Sequence, residues 1–253
     1  MTDSFFFFWP GQFMYIGKAA DTAIHDHHAI QIAISLDRPF EIKWLNNSLK
    51  LTAVIIDSDE PHECKTSDNT FLFLNIAPES KIAAALKKCY LGSQNISKLP
   101  RDKVDDFIKA ILNQLGGQET SDNIYLITQQ FLHSLSKTDE SRFIDERIAT
   151  VIKILNEKQD DRVPLKELAK LVFISPSRLV HLFTEQVGIP IRKYILWKKL
   201  LTAFEKAAES QNIADAALYA GFSDAPHFNR TFKRMFGLNP STILKNSQII
   251  QVN

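Results

Sequence analysis

In this 253-residue chain the run His25-Asp26-His27-His28, together with His62, has the residue types and spacing for metal or proton chemistry. Two histidines one residue apart on a strand project to the same side, as two ligands of one ion must. Four residues past His27, however, stands Gln31, a neutral amide where a carboxylate ligand would be wanted. The expectation is that these imidazoles hydrogen-bond a small molecule, with no metal ligand, no cofactor and no catalytic residue. His25, His27, Gln31, Trp44 and His62 form the candidate binding group. A second set suits nucleic acid: Ser177, Arg178 and His181, then Ala225, His227, Arg230, Thr231, Lys233 and Arg234. Arginine, lysine, histidine and hydroxyl side chains on one helix face can meet phosphates and base edges.

The second set is positioned by a repeat. Leu165-Lys-Glu-Leu168-Ala169 is followed by Ser175, Leu179, Phe183 and Gly188-Ile-Pro190; Ile213-Ala-Asp-Ala216-Ala217 is followed by Gly221-Phe222-Ser223, Phe228, Phe232 and Gly237-Leu-Asn-Pro240. An internal repeat of roughly 49 residues marks a duplicated unit. Small residues at Ala169 and Ala217 let one helix cross another closely, the need of a helix-turn-helix. Ser175 before Pro176 predicts an N-cap with proline at the first helical position. Ser223-Asp224 predicts the corresponding start in the second copy. Leu179, Leu182 and Phe183, and Phe228 with Phe232, should anchor each recognition helix and turn the candidate DNA contacts outward. Between the copies, residues 192–210 contain neither Gly nor Pro. That 19-residue helix spans roughly 28 Å, near the roughly 34 Å between successive major grooves on one face of DNA.

Charge follows this division. From Ile144 onward there are 16 basic and 11 acidic residues, whereas residues 1–143 hold 14 and 18. Only the C-terminal half is suited to a polyanion. Cys64 and Cys89 make neither a disulfide framework nor a zinc quartet. The aromatic run Phe5 to Trp9 lacks the basic flank and cleavage pattern of a signal peptide and reads as a buried strand. No run reaches the length of a membrane span, so a cytoplasmic protein without membrane contact is expected.

Residues 29–36, 40–45, 51–56 and 70–76 read as strands separated by turn signals, the pattern of a small barrel or sandwich. Residues 80–89, 101–115 and 123–135 read as helices. In the last, Ile124, Ile127, Phe131 and Leu135 form one apolar stripe, read here as a homodimer seam in preference to a face packed on the barrel. The polar stretch 136–141 is the expected linker, and Ile144, Ile148, Val151, Ile152 and Leu155 begin the second domain with an amphipathic helix.

The segment Ala216 to Pro240, with Gly221-Phe222-Ser223-Asp224, Phe228, Arg230, Phe232-Lys233 and Gly237, strongly resembles the AraC/XylS family of transcription regulators. The resemblance covers about residues 144–245. Lys199, His181 and Ile243-Leu244 depart from the family's usual residues; the first two weaken transfer of phosphate contacts to those positions. It implies an α+β chain with a small cupin-like β-barrel and helical pair at 1–140, which bind an effector and dimerise. An all-α DNA-binding domain of two helix-turn-helix units on a linker helix then fills 141–253. It also implies double-stranded DNA and a small-molecule effector as partners, RNA polymerase as a further candidate, a homodimer, and activation rather than repression. The alternative is a cupin-type metal-binding enzyme with an appended DNA-binding domain, since the His25, His27 and His62 pattern resembles a metal-binding cupin. Alkylation-repair relatives with the same helix pair need a Pro-Cys-His setting that Pro61-His-Glu-Cys64 does not provide.

Overall fold

The aromatic run begins the structure because Phe, Tyr and Trp suit a pleated surface covered on both sides. In the computed structural model it is β1 (Ser4–Trp9), paired with β2 (Gln12–Lys18) through a turn at Gly11. The residues described are 4–9, 11–18, 23–66, 69–78, 80–115, 121–136, 145–157, 164–187, 189–210, 212–236, 240–241 and 247–251. They divide into two compact units, one drawn from 1–78, 82–139 and 232–253, the other from 79–81 and 140–231.

The first unit continues with β3 (Ile30–Ser35), β4 (Phe40–Trp44), β5 (Asn47–Leu51), β6 (Ala53–Ile56), β7 (Glu63–Lys65) and β8 (Thr70–Ile76). Helix α1 (Lys81–Leu86) runs into a π-helical turn at Lys87–Leu91, followed by β9 (Ile96–Lys98), α2 (Arg101–Leu115) and α3 (Ser121–Ser136). Further on come α4 (Glu146–Glu157), α5 (Leu165–Leu171), α6 (Pro176–Val187), α7 (Ile191–Ser210), α8 (Ile213–Tyr219), α9 (Ala225–Phe236) and β10 (Ser247–Gln251).

Seven strands form one sheet in the order β10-β1-β2-β8-β3-β6-β9, and β5-β4-β7 form a second. The mixed α+β class holds, but the expected barrel is not closed. Among the described residues no ladder joins the two sheets, and β7 and β9, three residues each, are too short to carry one round. Strand β10 was not foreseen; it lies parallel to β1, pairing Ser4 with Ser247 and Phe8 with Gln251.

Alternation sorts the large sheet into two faces. Phe7, Trp9, Met14, Ile16, Ile30, Ile32, Ile34, Leu72 and Leu74 pack with Leu86, Phe107, Ile111, Ile124, Phe131 and Leu135 of the helices. Ala33, Val54, Ile56 and Phe71 turn the other way, toward Phe40, Ile42 and Cys64 of the smaller sheet. The apolar stripe of α3 is therefore covered by its own chain, with the Phe131 and Phe107 rings stacked at 4.0 Å. That corrects the reading of Ile124, Ile127, Phe131 and Leu135 as a seam between chains: an amphipathic face seeks the nearest apolar surface, and the sheet supplies it.

Toward the C-terminus, the two helix-turn-helix copies form as the repeat requires. Ala169, Ala216 and Ala217 are buried where helices cross, as are Leu179, Leu182 and Phe183 of α6 and Phe228 and Phe232 of α9. Each turn contains one left-handed residue at the same place in the repeat. It is Gly221 (φ 80°) in the second copy and Phe173 (φ 55°) in the first. Glycine holds that conformation without a Cβ clash; phenylalanine does not, and its ring is 95% exposed. Of the expected linker only Ser136 lies among the described residues; 137–141, Ile144, Gly116-Gly117, Gly188, Gly237 and Ile243-Leu244 lie outside them.

Candidate nucleic-acid interface and effector site

Helix α6 begins as its capping residues dictate, with the Arg178 amide donating to Ser175 Oγ at 3.2 Å. At α9 the cap is Asp224, whose carboxylate accepts from the His227 amide at 2.6 Å and from the Ser223 hydroxyl at 3.0 Å. Those donors hold the Asp224 carboxyl below the usual carboxylate value, the His227 amide most of all. Ser223 Oγ also lies 3.0 Å from His227 Nδ1, which fixes that ring at the start of the helix.

Ser177, Arg178 and His181 are exposed on α6, and His227, Arg230, Lys233 and Arg234 are exposed on α9. Ala225 and Thr231 are half-buried, and the Thr231 hydroxyl donates to the His227 carbonyl at 2.9 Å. All nine candidate DNA contacts thus fall on the two recognition helices, and the buried phenylalanines fix which way each face points.

Helix α7 spans 20 residues, roughly 30 Å at 1.5 Å per residue. Asn212 caps the following α8, accepting from the amides of Ala214 and Asp215 at 3.0 and 3.2 Å. Within α7, Glu205 is half-buried and one of its carboxylate oxygens meets no donor. Burial, with Glu209 one turn away adding to it, pushes the Glu205 carboxyl up to about 7. The folded chain therefore holds this proton more tightly than the unfolded chain. Its stabilising contribution is complete below the ordinary carboxylate value and is lost as pH rises through about 7. Glu205→Gln should raise the melting temperature at pH 8 by a few degrees, on the order of 1 kcal/mol after allowing for solvent screening. The difference should vanish near pH 5 in thermal melts of the full chain; an equal gain at both pH values would remove the ionisation argument.

In the first unit, His25 and His62 are held opposite each other by an antiparallel bridge, with N–H···O distances of 3.0 and 2.9 Å. His27 stands two residues along on the same side. Ring centroids lie 4.4 Å apart for His25–His62, 5.2 Å for His27–His62 and 5.8 Å for His25–His27. Burial, reinforced by a neighbouring imidazole, drives His27 down to about 4 and His62 to about 3, so both rings are neutral at physiological pH.

Gln31 is buried beside His27 and donates to Asn75 Oδ1 at 3.2 Å. Four of the five candidate effector residues are thus grouped. Trp44 is not among them; it packs half-buried on the apolar cluster of Phe40, Ile42 and Phe71.

Sequence reasoning missed the aromatic floor next to this group. Phe6, Phe8, Phe13, Tyr15, Phe71 and Phe73 occupy the face of the large sheet that turns away from the helices, linked by ring contacts of 4.7 to 6.1 Å. Asn75 lies in the same row, opposite Phe13 on one side and Gln31 on the other, and its buried amide nitrogen has no acceptor. The signal was present as alternate aromatics in Phe5 to Tyr15. With apolar residues on both faces, though, periodicity cannot say which face is covered by helices.

Residues 168–246 match the family described as "Helix-turn-helix domain". The Photobacterium leiognathi protein named "Probable transcriptional regulator LumQ" is 24% identical over 229 residues, covering 86% of this chain and 90% of its own length. The arabinose operon regulatory protein of Escherichia coli (strain K12) is 30% identical over 126 residues, covering 47% of this chain and 42% of that protein. The chain thus spans less than half of the arabinose regulator. Among solved structures, ToxT from Vibrio cholerae O395 aligns over 93% of this chain and 97% of its own, with a TM-score of 0.50 and 13% identity. ToxT has also been solved bound to (E)-4-(8-methylnaphthalen-1-yl)but-3-enoic acid. That likeness speaks for the fold.

Proposed function

We propose that this chain, a member of the AraC family of transcription regulators by its C-terminal half, adjusts sequence-specific DNA binding to a small molecule held by its N-terminal sheets. The observation that carries the DNA-binding part is the duplicated helix-turn-helix on one continuous helix, with basic and polar side chains exposed on both recognition helices. The comparisons name regulators, and the metalloenzyme alternative finds no support in them. Among the described residues no helix is long and apolar enough to cross a membrane.

The effector reading rests on the aromatic floor and the unmatched Asn75 amide. Together they suit an apolar or aromatic molecule carrying one hydrogen-bond acceptor, such as a carbonyl or carboxylate. ToxT, of similar fold, binds an aryl-substituted acid, which is in keeping with such a ligand. Activation through RNA polymerase and assembly as a homodimer complete the reading. Since the α3 stripe is covered, a dimer would use the outer faces of α2 and α3, where Leu112 and Leu126 are exposed.

Selection of bound DNA from a random pool by the full chain tests this directly. Two conserved blocks about one helical turn apart are expected. Arg230→Ala should relax preference at one or two positions of one block and lower affinity about 10- to 100-fold, as loss of a bidentate base contact does. A motif unchanged by Arg230→Ala would remove its base-reading role, and failure to select any motif would remove the regulator reading.

A further inference from the structure

The hydrogen bonding of His25, His27 and His62 fixes which ring nitrogen of each carries the proton. His25 Nδ1 lies 3.0 Å from the Ala23 carbonyl, His27 Nδ1 3.0 Å from the Ala29 carbonyl, and His62 Nδ1 2.8 Å from the Glu60 carbonyl. A carbonyl oxygen only accepts, so each Nδ1 donates, and a neutral imidazole then presents a bare lone pair at Nε2. The Nε2 atoms of His27 and His62 are buried and meet no hydrogen-bond partner. Both residues are 1% exposed, so solvent does not supply one. One ring nitrogen from each of the three histidines lies within 4.8 Å of the others.

Three rings that turn their Nε2 lone pairs toward one another cannot satisfy one another; what satisfies all three at once is a cation. We propose that His25, His27 and His62 bind one divalent transition-metal ion through their Nε2 atoms. An Nδ1–H bond to a backbone carbonyl is the support that metal-ligating histidines ordinarily use, because it fixes the tautomer and the ring direction. Zinc–nitrogen bonds of about 2.0–2.1 Å place tetrahedral ligand nitrogens about 3.4 Å apart, so side-chain rotations of about an ångström close the set. Backbone geometry has already done the larger part: the His25–His62 bridge fixes two ligands face to face, and the one-residue gap puts His27 on their side.

The donor set also selects the ion. Three imidazole nitrogens and no carboxylate suit zinc, cobalt, nickel or copper and disfavour magnesium and calcium, which require oxygen. Gln31 argued against a metal in the sequence because it stands where a carboxylate would; three nitrogens make a sufficient set without it. Three protein ligands leave a fourth position open to water or to a donor atom from a bound molecule. The site stands on its own geometry and does not depend on the effector or DNA-binding readings.

The test uses the full chain without a polyhistidine tag, stripped with chelator and titrated with cobalt(II), zinc(II) and magnesium(II). One cobalt per folded chain should bind, with the visible absorption of a four- or five-coordinate ion, and one equivalent of zinc should bleach it. Magnesium should do neither. His25 is half-exposed, so His25→Ala should fold as judged by circular dichroism while zinc affinity drops about 100-fold or more. His62→Ala provides a second comparison, and zinc should raise the melting temperature of the unaltered chain alone. A folded chain that takes up no stoichiometric cobalt or zinc overturns the proposal. So does a folded His25→Ala chain whose zinc affinity is unchanged. Because DNA selection is read separately, loss of the metal site would leave the regulator reading intact.

Discussion

Phe131→Asp is expected to unfold the sheet-and-helix unit. The side chain is 5% exposed, its ring stacks 4.0 Å from Phe107 at an interplanar angle of 2°, and it sits among Ile124, Leu132 and Leu135. Removing a buried phenylalanine ring costs about 3–5 kcal/mol. Placing a carboxylate in the gap adds the desolvation of a charge without a partner. Against a typical net stability of about 5–15 kcal/mol, that combination leaves little or no folded unit. Urea denaturation followed by circular dichroism checks it, with Leu126→Asp as the control. Leu126 is on the same helix but 55% exposed, so its aspartate should fold. If the outer face makes the dimer, this control alone should sediment as a monomer. A soluble, folded Phe131→Asp monomer would restore the stripe as a seam between chains and overturn the packing argument.

Affinity of the full chain for its selected DNA should fall about a thousand-fold between 50 and 200 mM salt. Two recognition helices and a basic linker helix can neutralise about six phosphates, and each releases close to one counterion. Exposed Arg178, Arg230, Lys233 and Arg234 are the groups concerned. Fluorescence anisotropy across that range gives the slope of log affinity against log salt, expected near −5. A slope near zero would mean that the basic faces do not meet the phosphate backbone. Together with the Arg230→Ala selection, the slope separates positioning contacts from base-reading ones.

The repeat was legible because it is local: small residues at Ala169 and Ala217, the Ser175-Pro176 start and the buried phenylalanines lie within one or two turns of what they determine. Helix 101–115 was legible in full for the same reason. Pairings over long distances were not. The bridge between His25 and His62 joins residues 37 apart, and nothing in either neighbourhood announces it. Strand β10 has two adjacent isoleucines as its whole apolar signal, too little for any periodicity. The α3 stripe announced that one face is buried but not by what. In β1, β2 and β8 the residues on both faces are apolar, so sequence identified the strands' character without telling the helix-covered side from the aromatic floor.

The two copies on α7 are similar but not interchangeable. One turn holds its left-handed bend with Phe173, the other with Gly221, and Arg178, His181 and Thr184 on one helix answer to His227, Arg230 and Lys233 on the other. A reader with two unlike heads on one rod has a front and a back. The DNA site expected for one chain is therefore an arrow rather than a palindrome, and inverting that site should turn the bound chain end for end. The direction such a chain faces would be written into the order of the two half-sites.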